Sequence, residues 1–223
     1  KSLVGSEMCI RDRVMSDLFA NSSIDQNLES PLADKMRPQS LDEVIGQHHL
    51  LGEGAPLQNM VSSGNFSSLI LWGPPGVGKT TIARLLADHS KSHFEQLSAI
   101  FTGVSDLKKV FETAKIRRTN GHRTIIFVDE IHRFNKSQQD SFLPFLEDGT
   151  ITLIGATTEN PSFELNSAIL SRVQVLVLER LTNSNLENIF ERAESLLGSK
   201  INLDSDAKIE LFKQADGDGR TLL

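Results

Sequence analysis

The run GPPGVGKTT at residues 73–81 restricts this chain more than any other feature. Four apolar residues precede it, Leu69, Ile70, Leu71 and Trp72, and a helical pattern with Ile82, Ala83, Leu85 and Leu86 comes after it. A strand, a glycine-rich turn and a helix in that order call for an α/β layout. The spacing of Gly73, Gly78, Lys79 and Thr80 meets the phosphate-loop pattern, with Pro74, Pro75, Val77 and Thr81 completing the run. Gly76 and Gly78 let the backbone curl so that several N–H groups point inward as an anion nest. The helix opening near Lys79 adds its N-terminal dipole. Lys79 supplies a positive charge for β- and γ-phosphates, and the Thr80 hydroxyl is placed to ligate Mg²⁺.

A length of 223 residues bounds the chain to one large or two small domains with a sizeable core. No apolar run approaches the roughly 20 residues of a membrane span, and no stretch reads as a signal peptide. Cys9 is the only cysteine, so no internal disulfide can form, which fits a reducing cytoplasm. A net charge of −6 excludes a surface that is basic all over but allows a local basic patch.

Residues 1–14 carry no periodicity that links them to the rest of the chain, and Met15 then opens a polar stretch like an ordinary protein start. Residues 1–14 are therefore read as a non-native leader. Residues 15–31, rich in Ser, Asn and Asp, read as a flexible arm holding Asp17-Leu18-Phe19. Ahead of the phosphate loop, Ser40 is expected to cap a helix beginning LDEV with Glu43 at the capping-box position, and Gly46 to end it. From residue 68 onward apolar runs alternate with helical patterns. Strands are expected at 68–72, 94–98, 124–128, 151–156 and 173–178, and helices at 80–89, 105–116 and 137–147. This alternation implies an α/β fold with a five-stranded parallel sheet between helical layers, spanning 32–180. From Leu181 the strands stop. Leu186, Ile189, Phe190, Ala193, Leu196 and Leu197 share one helical face, Asp204 can cap a second helix and Asp218 a third. Residues 181–223 thus read as a helical segment, cut short just as that third helix begins.

A second candidate site lies at IIFVDE, residues 125–130, where an apolar strand ends in two carboxylates. Ligands of a parallel α/β sheet bind at that carboxyl edge. Asp129, at the tip of a neighbouring strand, can hold Mg²⁺ through its water shell, since Mg²⁺ takes few carboxylates and keeps several waters. Glu130 can orient and deprotonate a water in line with a γ-phosphate.

These paired motifs resemble those of AAA+ ATPases. The stretch DEIHRFNKSQQDSFLPFLEDGTITLIGATTENPSFELNSAILSR (129–172) closely resembles the RarA/MgsA, or replication-associated recombination protein A, family. The eukaryotic relatives of that family are the Werner-helicase-interacting ATPases. KMRPQSLDEVIGQHHLLGEG (35–54) resembles the segment that precedes the phosphate loop in the same family. The resemblance implies a P-loop NTPase domain of the AAA+ type with a helical lid, using ATP and Mg²⁺. It implies that Thr158, with Thr157 as the alternative register, is a sensor hydroxyl near the γ-phosphate. By the same resemblance Arg172 matches an arginine finger reaching ATP on a neighbouring subunit, Arg220 matches a second sensor in the lid, and Val44, Ile45 and Gly46 lie against the adenine. Thr221 stands where relatives often have another basic residue.

The function so implied is a cytoplasmic, nucleoid-associated, DNA-dependent ATPase that remodels DNA at stalled replication forks. Its expected partners are DNA as single strands, ends or forks, with the sliding clamp and single-strand-binding protein as further candidates. The full-length form is expected to be a homo-oligomer, and this shorter chain a monomer. Two alternatives stand beside it: a nucleotide-switched clamp-loader-like subunit working through Leu18-Phe19, and a RuvB-type branch-migration motor, which the family-specific HRFNKSQQD stretch disfavours. For the DNA itself, KIRRTNGHR offers Lys115, Arg117, Arg118 and Arg123 without an intervening acid, and Arg133 and Lys136 come after the second site. The first cluster reads first as a solvated helix end, with phosphate contact as the alternative. His132 lacks His or Cys partners at ligand spacing and is not read as a metal ligand.

Overall fold

The structure, a computed structural model, describes residues 31–223, of which Leu32–Leu223 form one compact unit. The leader read at 1–14 and the Leu18-Phe19 arm lie outside the described residues. The segment ahead of the phosphate loop comprises α1 (Leu32–Lys35), a 3₁₀ turn at Leu41–Glu43, α2 (His48–Leu51) and α3 (Pro56–Ser63). The capped helix expected at Ser40 does not form. The Ser40 side chain makes no capping bond. The Glu43 carboxylate instead accepts from the Gln39 N–H at 3.1 Å and from Arg192 at 2.7 Å. An arginine from a helix remote in sequence takes the carboxylate that the local box would have used. Gly46, at φ 84°, then turns the chain away.

The body is built in strict alternation. It runs through β1 (Leu69–Trp72), α4 (Lys79–His89), β2 (His93–Ser98), α5 (Val104–Thr119) and β3 (Thr124–Asp129). It continues through α6 (Lys136–Asp140), α7 (Leu143–Glu147), β4 (Thr152–Thr157), α8 (Pro161–Glu164), α9 (Ser167–Leu170) and β5 (Gln174–Val177). The strands form one sheet in the order β2-β3-β4-β1-β5, and every pair is parallel. The sequence explains who stands where. β3 and β4 are apolar nearly throughout and are buried on both faces, as inner strands of a parallel sheet must be. β2, HFEQLS, mixes charge and apolarity, and β5 exposes Val175 and Val177; both are edges. β3 is not the immediate neighbour of β1, as Asp129 at a neighbouring tip would require. β4 lies between them, so the two motif-bearing strands stand roughly 10 Å apart across it.

Successive strand residues face opposite layers. Leu69, Leu71, Ile125, Phe127, Ile154 and Ala156 join Ile82 and Leu86 of α4 in one apolar cluster. Ile70, Ile126, Val128 and Leu153 join Leu107 and Phe111 of α5 in the other. In that second layer Phe111 stacks on Phe145, 4.3 Å between ring centroids, and meets Phe142 edge-on at 5.1 Å. The single helix expected over 137–147 is two, α6 and α7. Pro144 lacks the N–H that a continuing helix needs, so it sits in the first turn of a fresh one.

After β5 come α10 (Asn183–Leu197), α11 (Ser205–Ala215) and α12 (Gly219–Leu222). Asp204 caps α11 by accepting from the Ala207 N–H, and Asp218 caps α12 by accepting from Arg220 and Thr221. Leu186, Phe190, Phe212 and Leu222 of these helices join the same cluster as β1 and α4. The helical segment is thereby docked on the sheet's phosphate-loop side. No described helix is long and apolar enough to cross a membrane.

Phe111→Ala removes a ring that is 2 % exposed, stacked on Phe145 and edge-on to Phe142. It is expected to cost about 3–5 kcal/mol in denaturant unfolding. Phe163→Ala, at a ring 85 % exposed, is expected to stay within about 0.5 kcal/mol.

Candidate nucleotide-binding site

β1 delivers the loop to a fixed place. The Gly73 N–H donates to the Thr157 carbonyl at 3.1 Å and the Leu178 N–H to the Trp72 carbonyl at 2.7 Å, so sheet bonding continues to the loop's first residue. Gly76 at φ 66° and Gly78 at φ 99° adopt left-handed backbone, which curls the loop into α4. Lys79 is buried, and its Nζ donates to the carbonyls of Gly73 at 2.8 Å and Pro74 at 2.7 Å. Burial lowers the pKa of this ammonium, while the carboxylates of Glu130, Asp129 and Asp218 pull it back up.

One cavity is lined by Pro75, Gly76, Val77, Gly78, Lys79, Thr80 and Thr81 together with Asp129, Glu130, Arg220, Val44 and Ile45. Gly73 and Pro74 stand behind it as the acceptors that hold Lys79. Glu130 succeeds β3 with left-handed backbone, φ 53°, which for a non-glycine residue costs about 1–3 kcal/mol and clusters at working sites. Of the two threonines left open by the sequence, Thr157 is wholly buried and Thr158 has its hydroxyl 3.5 Å from Glu130 Oε2.

Several lining residues were not singled out in the sequence. Met36, Pro38, Leu181 and Ile189 widen the apolar wall around Val44 and Ile45, and the Arg192–Glu43 pair closes its rim. Met36 and Pro38 belong to the KMRPQSLDEV stretch, so a signal existed there. Ile189 was marked only as part of α10's apolar face, and Arg192 by no signal. The C-terminal helical segment reaches the loop directly: the Gly219 N–H donates to the Gly76 carbonyl at 3.2 Å. Asp218 Oδ1 lies where a Cβ on Gly76 would come within 1.6 Å of it.

Arg172 is not in this cavity. It ends the turn after α9, where it donates to the Ala168 carbonyl at 2.7 Å and to Glu147 at 2.6 Å. The basic cluster is largely spoken for. Arg117 pairs with Glu95 at 2.8 Å, Arg118 with Asp148 at 3.5 Å and Lys115 with Glu112 at 3.2 Å. Arg123, Arg133 and Lys136 are exposed and have no ion pair among the described residues.

Comparison with known proteins adds the family. The model of the ATPase family associated with various cellular activities (AAA) matches residues 69–181. The chain belongs to the AAA family. It is 47 % identical over 212 residues to the replication-associated recombination protein A of Escherichia coli K12, a match covering 92 % of this chain and 47 % of that protein. It is 46 % identical over 198 residues to the ATPase WRNIP1 of Dictyostelium discoideum, covering 87 % of this chain and 23 % of that one. Among solved structures, the RuvB Holliday junction branch migration motor of Thermotoga maritima superposes with a TM-score of 0.68 at 30 % identity, over 84 % of this chain and 62 % of RuvB. The chain spans about half the length of the recombination proteins it matches.

For an AAA domain the donor set can be tested directly. Among the described residues no group of three or more His, Cys, Asp or Glu could cage a metal. Thr80 and Asp129 face one cavity beside a loop built for phosphate, which suits a small ion that keeps waters and phosphate oxygens in its shell. The residues therefore fit Mg²⁺ accompanying a nucleoside triphosphate.

Gly76→Ala places a Cβ against Asp218 on a left-handed backbone. It is expected to lower unfolding stability by about 1–3 kcal/mol and to weaken binding of a non-hydrolysable ATP analogue. Gly54→Ala, also at positive φ but with nothing within 4 Å, is expected to cost about 1 kcal/mol and to leave nucleotide binding unchanged. Chemical denaturation and calorimetric titration separate the two.

Proposed function

We propose that this chain is the ATP-hydrolysing core of a DNA-dependent ATPase that remodels or processes DNA at stalled replication forks, in replication, recombination and repair. One observation carries the proposal: the curled loop, Lys79, Thr80, Asp129 and Glu130 line a single cavity, in a chain 47 % identical to a replication-associated recombination protein. The inward N–H groups of residues 76–80 and the Lys79 ammonium hold the β- and γ-phosphates of ATP, and the apolar wall at Val44 and Ile45 takes the adenine. Thr80 and Asp129 would hold Mg²⁺, which would supply positive charge to offset that of the phosphate oxygens. Glu130 accepts the proton of a water that attacks the γ-phosphorus as the bond to the β-phosphate oxygen breaks, giving ADP and inorganic phosphate. Thr158 steadies the Glu130 carboxylate, and Arg220 brings a cation from the lid.

The position of Arg172, outside its own cavity and on the protein surface, supports a role as a finger on ATP held by a neighbouring copy. The working form is then a homo-oligomer of the longer protein, cytoplasmic and associated with the nucleoid. DNA is its partner, as single strands, ends or forks, with the sliding clamp and single-strand-binding protein as additional candidates. The free cations Arg133, Lys136 and Arg123 are better placed for phosphate contact than the paired Arg117, Arg118 and Lys115. The RuvB-like architecture supports a branch-migration motor as a second reading. Identity of 47 % to the recombination protein against 30 % to RuvB favours the first.

ATPase assays of the full-length protein with single strands, duplex ends and forks test this. Turnover is expected to rise with DNA and to lose that stimulation as salt increases; stimulation by the sliding clamp alone would point to the loader reading. Glu130→Gln is expected to bind ATP normally and to turn over about 10²–10⁴ times more slowly; wild-type turnover would remove Glu130 as the base. Arg172→Ala is expected to lose about 10³-fold or more in turnover at unchanged ATP affinity, with activity returning when it is mixed with a Lys79→Ala protein that still carries the finger.

A further inference from the structure

His132 is the residue of the second motif that this reaction scheme leaves unused. It sits in the 3₁₀ turn Ile131–Arg133, directly after Glu130, with its side chain 9 % exposed. Its Nδ1 lies 2.9 Å from Thr157 Oγ1 and 3.3 Å from Glu130 Oε2. The Thr157 hydroxyl also accepts from the Glu159 N–H at 3.0 Å and lies 3.2 Å from the Glu159 carbonyl.

Counting protons assigns the tautomer. The Thr157 hydroxyl has one proton, and the Glu159 carbonyl is an acceptor that only a donor can meet. If that proton goes to Glu159, the hydroxyl is an acceptor toward His132, and Nδ1 must carry a hydrogen. The opposite assignment, with Thr157 donating to a bare Nδ1, would aim the Nδ1 lone pair at the Glu130 carboxylate 3.3 Å away. Two acceptors would then face each other at a largely buried site, which is unfavourable. With Nδ1–H, one imidazole proton is shared between Thr157 and Glu130, and each buried group has a partner of the right kind.

We propose that His132 is a positioning residue. Its Nδ1–H, in the tautomer dictated by Thr157, holds Oε2 of Glu130 so that the other carboxylate oxygen is presented to the attacking water. The proposal rests on the reading of Glu130 as the base. Glu130 needs such a hold. Its backbone is left-handed, and its one other side-chain hydrogen bond among the described residues, from the Thr158 hydroxyl, is at the 3.5 Å limit. The same Thr157 whose hydroxyl orients the imidazole gives its carbonyl to the Gly73 N–H at 3.1 Å. One residue at the tip of β4 therefore registers the base against the phosphate loop, across the strand that separates β1 from β3.

The two side-chain amides distinguish a positioning role from a structural one. Asparagine can put an N–H where Nδ1 stands, whereas glutamine extends its amide to the place of Nε2. In the full-length protein His132→Gln is expected to lose about tenfold to a hundredfold in kcat with KM for ATP within about twofold, and His132→Asn to keep kcat within about threefold. In the unmodified protein, ¹H–¹⁵N correlation of the imidazole is expected to find the proton on Nδ1. A proton on Nε2, equal losses in the two variants, or a loss that falls on KM alone would overturn the proposal. A slow Glu130→Gln beside an unimpaired His132→Gln would leave the base standing and remove only the positioning role. Wild-type turnover in Glu130→Gln would remove the base and this proposal with it.

Discussion

Everything at the nucleotide site depends on a strand that has no freedom left when it ends. β1 is paired on both edges, by β4 and β5, and covered on both faces. Sheet bonding runs on through Gly73 and Leu178, so the chain leaves the sheet at one point and in one direction. A glycine-rich turn would otherwise sample many shapes. Here its first residue is pinned by the Thr157 carbonyl and its last opens α4, whose Ile82 and Leu86 are locked in the core. The loop's course is thus fixed at both ends by the sheet and by α4.

The second dependence is between layers. Asp129 and Glu130 leave β3, two strands from β1, and Thr157 and Thr158 leave the strand between. The helices α10, α11 and α12 stand on the third side. Their apolar face joins the same cluster as β1 and α4, so Arg220 and the Asp218 cap come to rest at Gly76 because Phe190, Phe212 and Leu222 are buried. Packing of these helices on the sheet therefore sets where the Arg220 cation stands at the cavity.

Much of this was legible in the chain. The apolar runs at 124–128 and 151–156 read as inner strands because only a strand covered on both faces is apolar at every position. The caps at Asp204 and Asp218 were readable because a capping carboxylate acts on N–H groups within three residues. Failures came where a distant partner competed. The Ser40 capping box lost Glu43 to Arg192. In the basic run at 115–123, the pairing of Arg117 with Glu95 and of Arg118 with Asp148 was hidden because those carboxylates come from other elements. His132 looked inert because neither Thr157 nor the tautomer it dictates is near it in sequence.

The sequence by itself determined the chemistry on offer: a phosphate loop at 73–81, two carboxylates at a strand end, and the alternation that makes a parallel sheet. Those signals are local, carried by backbone conformation, spacing and periodicity over a few residues. Tertiary structure decided what those groups meet. It put β4 between the two motif strands, chose Thr158 over Thr157 to face Glu130, kept Arg172 out of its own cavity and set Asp218 against Gly76. The physical reason is that hydrogen bonds and ion pairs act over about 3–4 Å of space, whatever the separation along the chain. Which partner wins is known only once the apolar layers have packed.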